Sequence, residues 1–136
     1  MRHRLTRMTT PSAPSTLREY DVNARSTDVF GRVLCNARDH HFIIDGPVQN
    51  GCPGEAVTPA ELFLTGIAAC GVELVQSIAR DQQLAPRVAV EIEGWMDRAN
   101  PVRRDLSVFN GVRLRFHLGG VTQAQGNDLI ERFKGR

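Results

Sequence analysis

The stretch TPAELFLTGIAACGVEL, residues 58–74, decides the fold. Thr58 offers a side-chain oxygen, Pro59 suits a first helical position, and Glu61 follows the threonine at capping-box spacing. A helix that starts there can run to about Gln83, because Pro86 forbids much more. At about 100° per residue, Phe63, Ile67, Leu74 and Ser77 fall on the side of Cys70. Leu64, Ala68, Val72, Val75 and Ala79 fall on the opposite side. A helix this apolar all round should be buried nearly all round. One small sheet covers one side only, so the other side calls for a second sheet or a second subunit. A homodimer that shares its core is the expectation.

The polar groups of the helix need separate accounts. Glu61 lies nine residues before Cys70, half a turn away in projection, and the cap explains it. Glu73 lies one turn beyond Cys70, where a carboxylate needs either an arginine or a place at the helix edge. Cys70 is ambiguous by position, since free cysteine commonly packs as a small apolar residue.

Outward from the helix, REYDVNARS, GRVLCNAR and HHFIIDGP read as short strands bounded by Asp28, Gly31, Asp39 and Gly46-Pro47. A loop dense in Gly and Pro, GPVQNGCPGEAV, leads into the helix. Beyond it, RVAVEIEGWMD alternates Val88, Val90 and Ile92 with Ala89, Glu91 and Glu93. GVRLRFHLGG alternates Val112, Leu114, Phe116 and Leu118 with Arg113, Arg115 and His117. Both are half-solvated antiparallel strands. A last helix spans roughly Gln123 to Lys134. Long runs of one element type place the chain in the α+β class.

The 136 residues suffice for one domain, and 41% hydrophobic with 24% charged residues is a globular composition. A formal net charge of +2, with basic residues scattered among acidic ones, gives no ground for a nucleic-acid partner. The apolar run Leu62 to Val75 falls short of the ~20 residues a bilayer needs, so no membrane span is expected. Three cysteines, Cys35, Cys52 and Cys70, without CxxC spacing suit free thiols in a reducing, cytoplasmic setting. Residues 1–16 read as a disordered basic tail, acid-poor over MRHRLTRMTTPSAPS, and 17–136 as a single domain. His40 and His41 are adjacent on a strand and point to opposite faces, and no third ligand has a suitable spacing. No metal and no cofactor are expected. Trp95 is read as packing on a sheet.

The run from Gly31 to Ala79 resembles the OsmC/Ohr family, the osmotically inducible and organic-hydroperoxide-resistance proteins. The matching residues are RDHHFIIDGP, the glycine loop NGCPGEAVTPAELFL, and TGIAACGVELV with its helical cysteine. The resemblance implies an intertwined homodimer with a central helix packed against curved sheets. It implies thiol-dependent reduction of organic hydroperoxides with Cys70 as the peroxidatic nucleophile. An arginine would stabilise the thiolate and the departing alkoxide. A glutamate would hold that arginine, and an external dithiol would restore the enzyme. The implied catalytic set is Cys70, Arg32 and Glu61, with Phe63, Ile67 and Leu74 building an apolar substrate pocket.

Three departures from the family pattern stand out. The glutamate that usually follows the proline is Ala60 here, with Glu61 one position later, as in less characterised branches. Arg25, Arg32 and Arg38 all fall on the segment that carries the family's arginine, and Arg32 in FGRV is favoured. The Cys-Pro segment that brings the family's second cysteine would begin where this sequence stops, at ERFKGR, leaving Cys35 and Cys52 as the other thiols. The alternative reading is a non-enzymatic dimer of the same fold that binds a small hydrophobic ligand.

Overall fold

Three short strands form the first sheet: β1 (Val22–Ser26), β2 (Arg32–Ala37) and β3 (His40–Asp45). They pair antiparallel in the order β1-β2-β3. The β2–β3 connection is Arg38-Asp39, and Arg38 adopts a left-handed conformation at φ 53° to make the turn. A short 3-10 turn, Val48–Asn50, follows. The helix α1 (Pro59–Asp81) comes next, then β4 (Arg87–Trp95), β5 (Gly111–Gly119) and α2 (Gln123–Lys134). These elements match the sequence expectations in type and order. The computed structural model describes residues 16–136, so the expected basic tail lies outside the described residues apart from Thr16.

The capping box is formed as expected. The Glu61 backbone N–H donates to Thr58 Oγ1, and the Thr58 backbone N–H donates to the Glu61 carboxylate at 2.7 Å. The same device, Thr122 with Gln125, opens α2. Strands β4 and β5 pair antiparallel, and their inner residues Val88, Val90, Ile92, Leu114, Phe116 and Leu118 are half-buried. Their outer face is a charge ladder, with Arg115 paired to Glu91 and Arg113 to Glu93. The core gathers where α1, α2 and this sheet meet. Val75, Ile78, Ala79 and Leu129 are buried, with Leu84, Val88, Phe116, Leu118, Ile130 and Phe133 packed around them. Gly71 is buried at this contact, where an added Cβ would come within 3.3 Å of the Phe116 ring. The missing side chain lets the aromatic lie against the helix.

Only one side of α1 is covered within the chain. Phe63, Gly66, Ala69, Cys70, Glu73, Gln76 and Arg80 form a stripe open to solvent. The one sheet-and-helix layer beneath α1 reaches only the Val75 side, so burial all round is not reached within the single chain. The first sheet supplies no second layer, since α1 packs mainly on β4 and α2. Tyr20, Val22 and Phe30 on and beside this sheet are 85%, 61% and 76% exposed, which leaves its apolar groups without cover from the chain itself.

The apolar run Leu62 to Val75 lies inside the longer helix α1. The 23-residue α1 is long and apolar enough by length and composition to cross a membrane. In this fold it is the central helix, with Gly71, Val75, Ile78 and Ala79 buried within the chain.

Candidate active site

Cys70 stands at the middle of α1 on the open stripe, a free and exposed thiol. Glu73, one turn on, is also exposed, which is the helix-edge placement. Of the residues expected to build an apolar pocket around the thiol, Ile67 and Leu74 are half-buried, and Phe63 is 59% exposed. Phe63 stacks on Phe109 from the β4–β5 connection, with ring centroids 5.7 Å apart. The apolar surround of Cys70 is thus a surface in the single chain rather than an enclosed pocket. Larger hollows lie elsewhere. One of about 660 Å³ sits between β4, β5 and α2, and one of about 500 Å³ sits in the 96–110 connection.

Arg32 is the most constrained arginine of the first sheet. Its Nε donates to Asp45 Oδ1 at 2.8 Å and its Nη2 donates to Asp45 Oδ2 at 2.8 Å, a two-pronged ion pair. Nη2 also donates to Glu55 Oε2 at 2.7 Å. Asp45 is fully buried, and its Oδ2 accepts two more bonds, from the backbone N–H groups of Glu55 and Ala56 at 2.9 and 3.1 Å. The carboxylate therefore ties the glycine loop to the end of β3 while holding the guanidinium. The bonds from Arg32, reinforced by those from the Ala56 and Glu55 backbone, hold the Asp45 carboxyl well below the ordinary range. Arg32 is pushed up in turn, first by Asp45 and then by Glu55.

The other residues singled out from the sequence occupy separate places. Glu61 belongs to the cap, where the backbone N–H of Thr58 and then its hydroxyl lower its pKa. Among the described residues no hydrogen bond or ion pair joins Arg32, Glu61 and Cys70 within one chain. Arg25 pairs across from Leu34 and is exposed; Arg38 sits in the β2–β3 turn. Cys35 is buried in β2 opposite Phe42. The Cys52 sulfur lies against Gly31 and Gly46, the chain neighbours of Arg32 and Asp45. Trp95 packs on the outer face of its sheet beneath the Arg113 guanidinium, 5.8 Å from the ring centroid.

Asp45 and Glu55 are the partners that sequence reasoning missed. Hairpin counting could have found the first. Arg32 stands as many residues before the Arg38-Asp39 turn as Asp45 stands after it, so the turn alone sets them opposite. Glu55 carried no such signal, because its approach depends on the path of the glycine loop.

No protein-family model matches this chain, and no curated protein sequence matches it either. Solved structures do match. An OsmC-like protein from Mycoplasma pneumoniae superimposes with a TM-score of 0.73 at 15% identity, over 88% of this chain and 82% of that one. An organic hydroperoxide resistance protein OsmC from Legionella pneumophila gives 0.67 at 23% identity, over 89% and 85%. The organic hydroperoxide resistance protein OhrB of Bacillus subtilis gives 0.58 at 19%, over 87% and 84%. Two antiparallel sheets, a long central helix and these superpositions agree: the chain has the OsmC/Ohr fold.

Proposed function

We propose that this protein is a homodimeric, thiol-dependent reductase of organic hydroperoxides, with Cys70 as nucleophile and Arg32 of the partner subunit beside it. The observation that carries the reading is the open stripe on α1. A free thiol lies there among apolar side chains, while the sheet bearing an anchored arginine stands apart from its own helix. Docking the first sheet of one subunit over α1 of the other would cover both apolar surfaces. It would also bring a cation to the sulfur. The names of two structural neighbours, organic hydroperoxide resistance proteins, support the same chemistry.

The step balances simply. The Cys70 thiolate attacks the distal oxygen of the peroxide, the O–O bond breaks, and the alkoxide takes a proton to leave as alcohol. The sulfur becomes a sulfenic acid, and an external dithiol returns it to the thiol while being oxidised to a disulfide. A guanidinium next to the sulfur favours the thiolate before attack and the alkoxide as it departs. Phe63, Ile67 and Leu74 would line the alkyl side of the pocket. Glu61, engaged by Thr58, serves as the cap of α1, and Asp45 takes the part of arginine holder.

The experiment is turnover of an alkyl hydroperoxide with a dithiol, by the parent chain and by Cys70→Ser and Arg32→Ala. Each variant should lose activity alone. Refolded together in equal amounts, the two variants should recover about a quarter of parental activity. Half the dimers are then mixed, and each mixed dimer holds one intact site. Equal peroxide loss by parent and Cys70→Ser removes the enzyme reading. No recovery on mixing removes the cross-subunit site.

One observation favours a second reading, a dimer that binds a small apolar ligand without turnover. Arg32 already carries two carboxylates, which leaves its cluster net negative. Saturable binding of an apolar fluorophore, with no peroxide consumed, would select it.

A further inference from the structure

The two carboxylates on Arg32 are built differently. Asp45 has no exposed surface and accepts four hydrogen bonds, two from Arg32 and two from the loop backbone. Removing it would undo the loop. The Glu55 side chain is 75% exposed, and its one hydrogen bond among the described residues is the contact with Nη2. An exposed pair of this kind is screened by solvent and salt and holds weakly. Arg32 Nη1 makes no hydrogen bond among the described residues, and 27% of the side chain faces solvent.

Charge decides what this arrangement does. With both carboxylates in place the cluster carries one positive and two negative charges, so an approaching anion meets net repulsion. With Glu55 swung out, Arg32 and Asp45 form a neutral pair, which presents Nη1 and the vacated side of Nη2 as fixed donors. We propose that Glu55 is a displaceable internal anion on Arg32, a latch that the anions of the reaction, the Cys70 thiolate and the departing alkoxide, must replace before the guanidinium can serve them. Resting on the reading of Arg32 as the site's cation, this adds a competitor that regulates access to it. A residue that merely steadied Arg32 would have the opposite effect, because its removal would weaken anion binding.

The test keeps the thiol out of the measurement. In a Cys70→Ser background, the Nε–Hε resonance of Arg32 is followed by NMR as sulfate is added at constant ionic strength. Glu55→Gln should tighten sulfate binding by up to roughly fivefold, the factor a surface ion pair governs. Arg32→Lys, which keeps the charge but not the fork, should abolish the sulfate-dependent shifts of neighbouring backbone amides. Unchanged or weaker sulfate binding in Glu55→Gln overturns the latch. In the Cys70-containing protein, Glu55→Gln should also speed alkylation of Cys70 by iodoacetamide at neutral pH. Tighter sulfate binding in a protein that turns over no peroxide would uphold the latch and remove the peroxidase reading, so the two can fail separately.

Discussion

Leu129→Ala tests the docking of α2 that fixes which side of α1 stays open. Leu129 has no exposed surface and is wedged among Val75, Ile78 and Ala79 of α1, with Leu118 and Phe116 of β5 nearby. The substitution deletes three carbon atoms, worth about 0.8 kcal/mol each in transfer, and the remaining void adds about 1 kcal/mol. Helix and sheet wall the site on two sides and limit its collapse, so a total loss of about 3–4 kcal/mol is expected. With a urea slope of about 2 kcal/mol/M, the unfolding midpoint should fall by about 1.5–2 M. Two probes should agree: far-UV circular dichroism for the helices, and fluorescence of Trp95, the one tryptophan, on the far face of the sheet. Protein concentration must be held fixed if the chain dimerises. Glu131→Ala on the exposed side of α2 should leave the midpoint in place. A fall of less than about 0.5 M for Leu129→Ala would show that α2 is not seated in the core, and the argument for the open stripe would fail with it.

Two further outcomes follow from the caps and charges. Thr58→Ala removes the oxygen that accepts from the Glu61 backbone and should cost about 1 kcal/mol in urea unfolding, whereas no change would show the cap to be dispensable. Because Asp45 is depressed in the folded chain, its contribution should be full above about pH 4 and fade as pH falls toward the folded value. Asp45→Asn should flatten that acid-side slope, leaving the part due to Glu61, Asp97, Asp105 and Asp128, which are also lowered. Identical slopes in parent and variant would deny Asp45 this role.

The local elements were legible because each rests on a local rule. Thr58, Pro59 and Glu61 announced α1, and alternation at Val88–Ile92 and Val112–Leu118 announced the second sheet. What the sequence did not disclose is how the elements divide the burial of α1. Helix periodicity tells that Cys70 and Val75 lie on different sides, but not which side the chain itself covers. That choice was made by β4, the next element along the chain, and by α2, about forty residues beyond the end of α1. Of the candidate site, the sequence singled out Cys70 and Arg32, which the fold places on an exposed helix stripe and in an ion pair with a buried carboxylate. Its holders were hidden for opposite reasons. Asp45 was quoted only as a motif residue, and Glu55 reaches Arg32 through loop geometry that no periodicity encodes.

The pairing of Trp95 with Gly111 bears on how β4 and β5 find each other across a fifteen-residue connection. A slide by two residues would keep every apolar side chain facing inward. It could also set Glu93 against Arg115 and Glu91 against His117, so attraction between the rungs scarcely penalises it. The indole does. It lies over Gly111, where any Cβ would run into the ring, and sliding would put a long arginine in that bare spot. One flat plate resting on one vacant position thus acts as the detent that stops the hairpin at its proper notch.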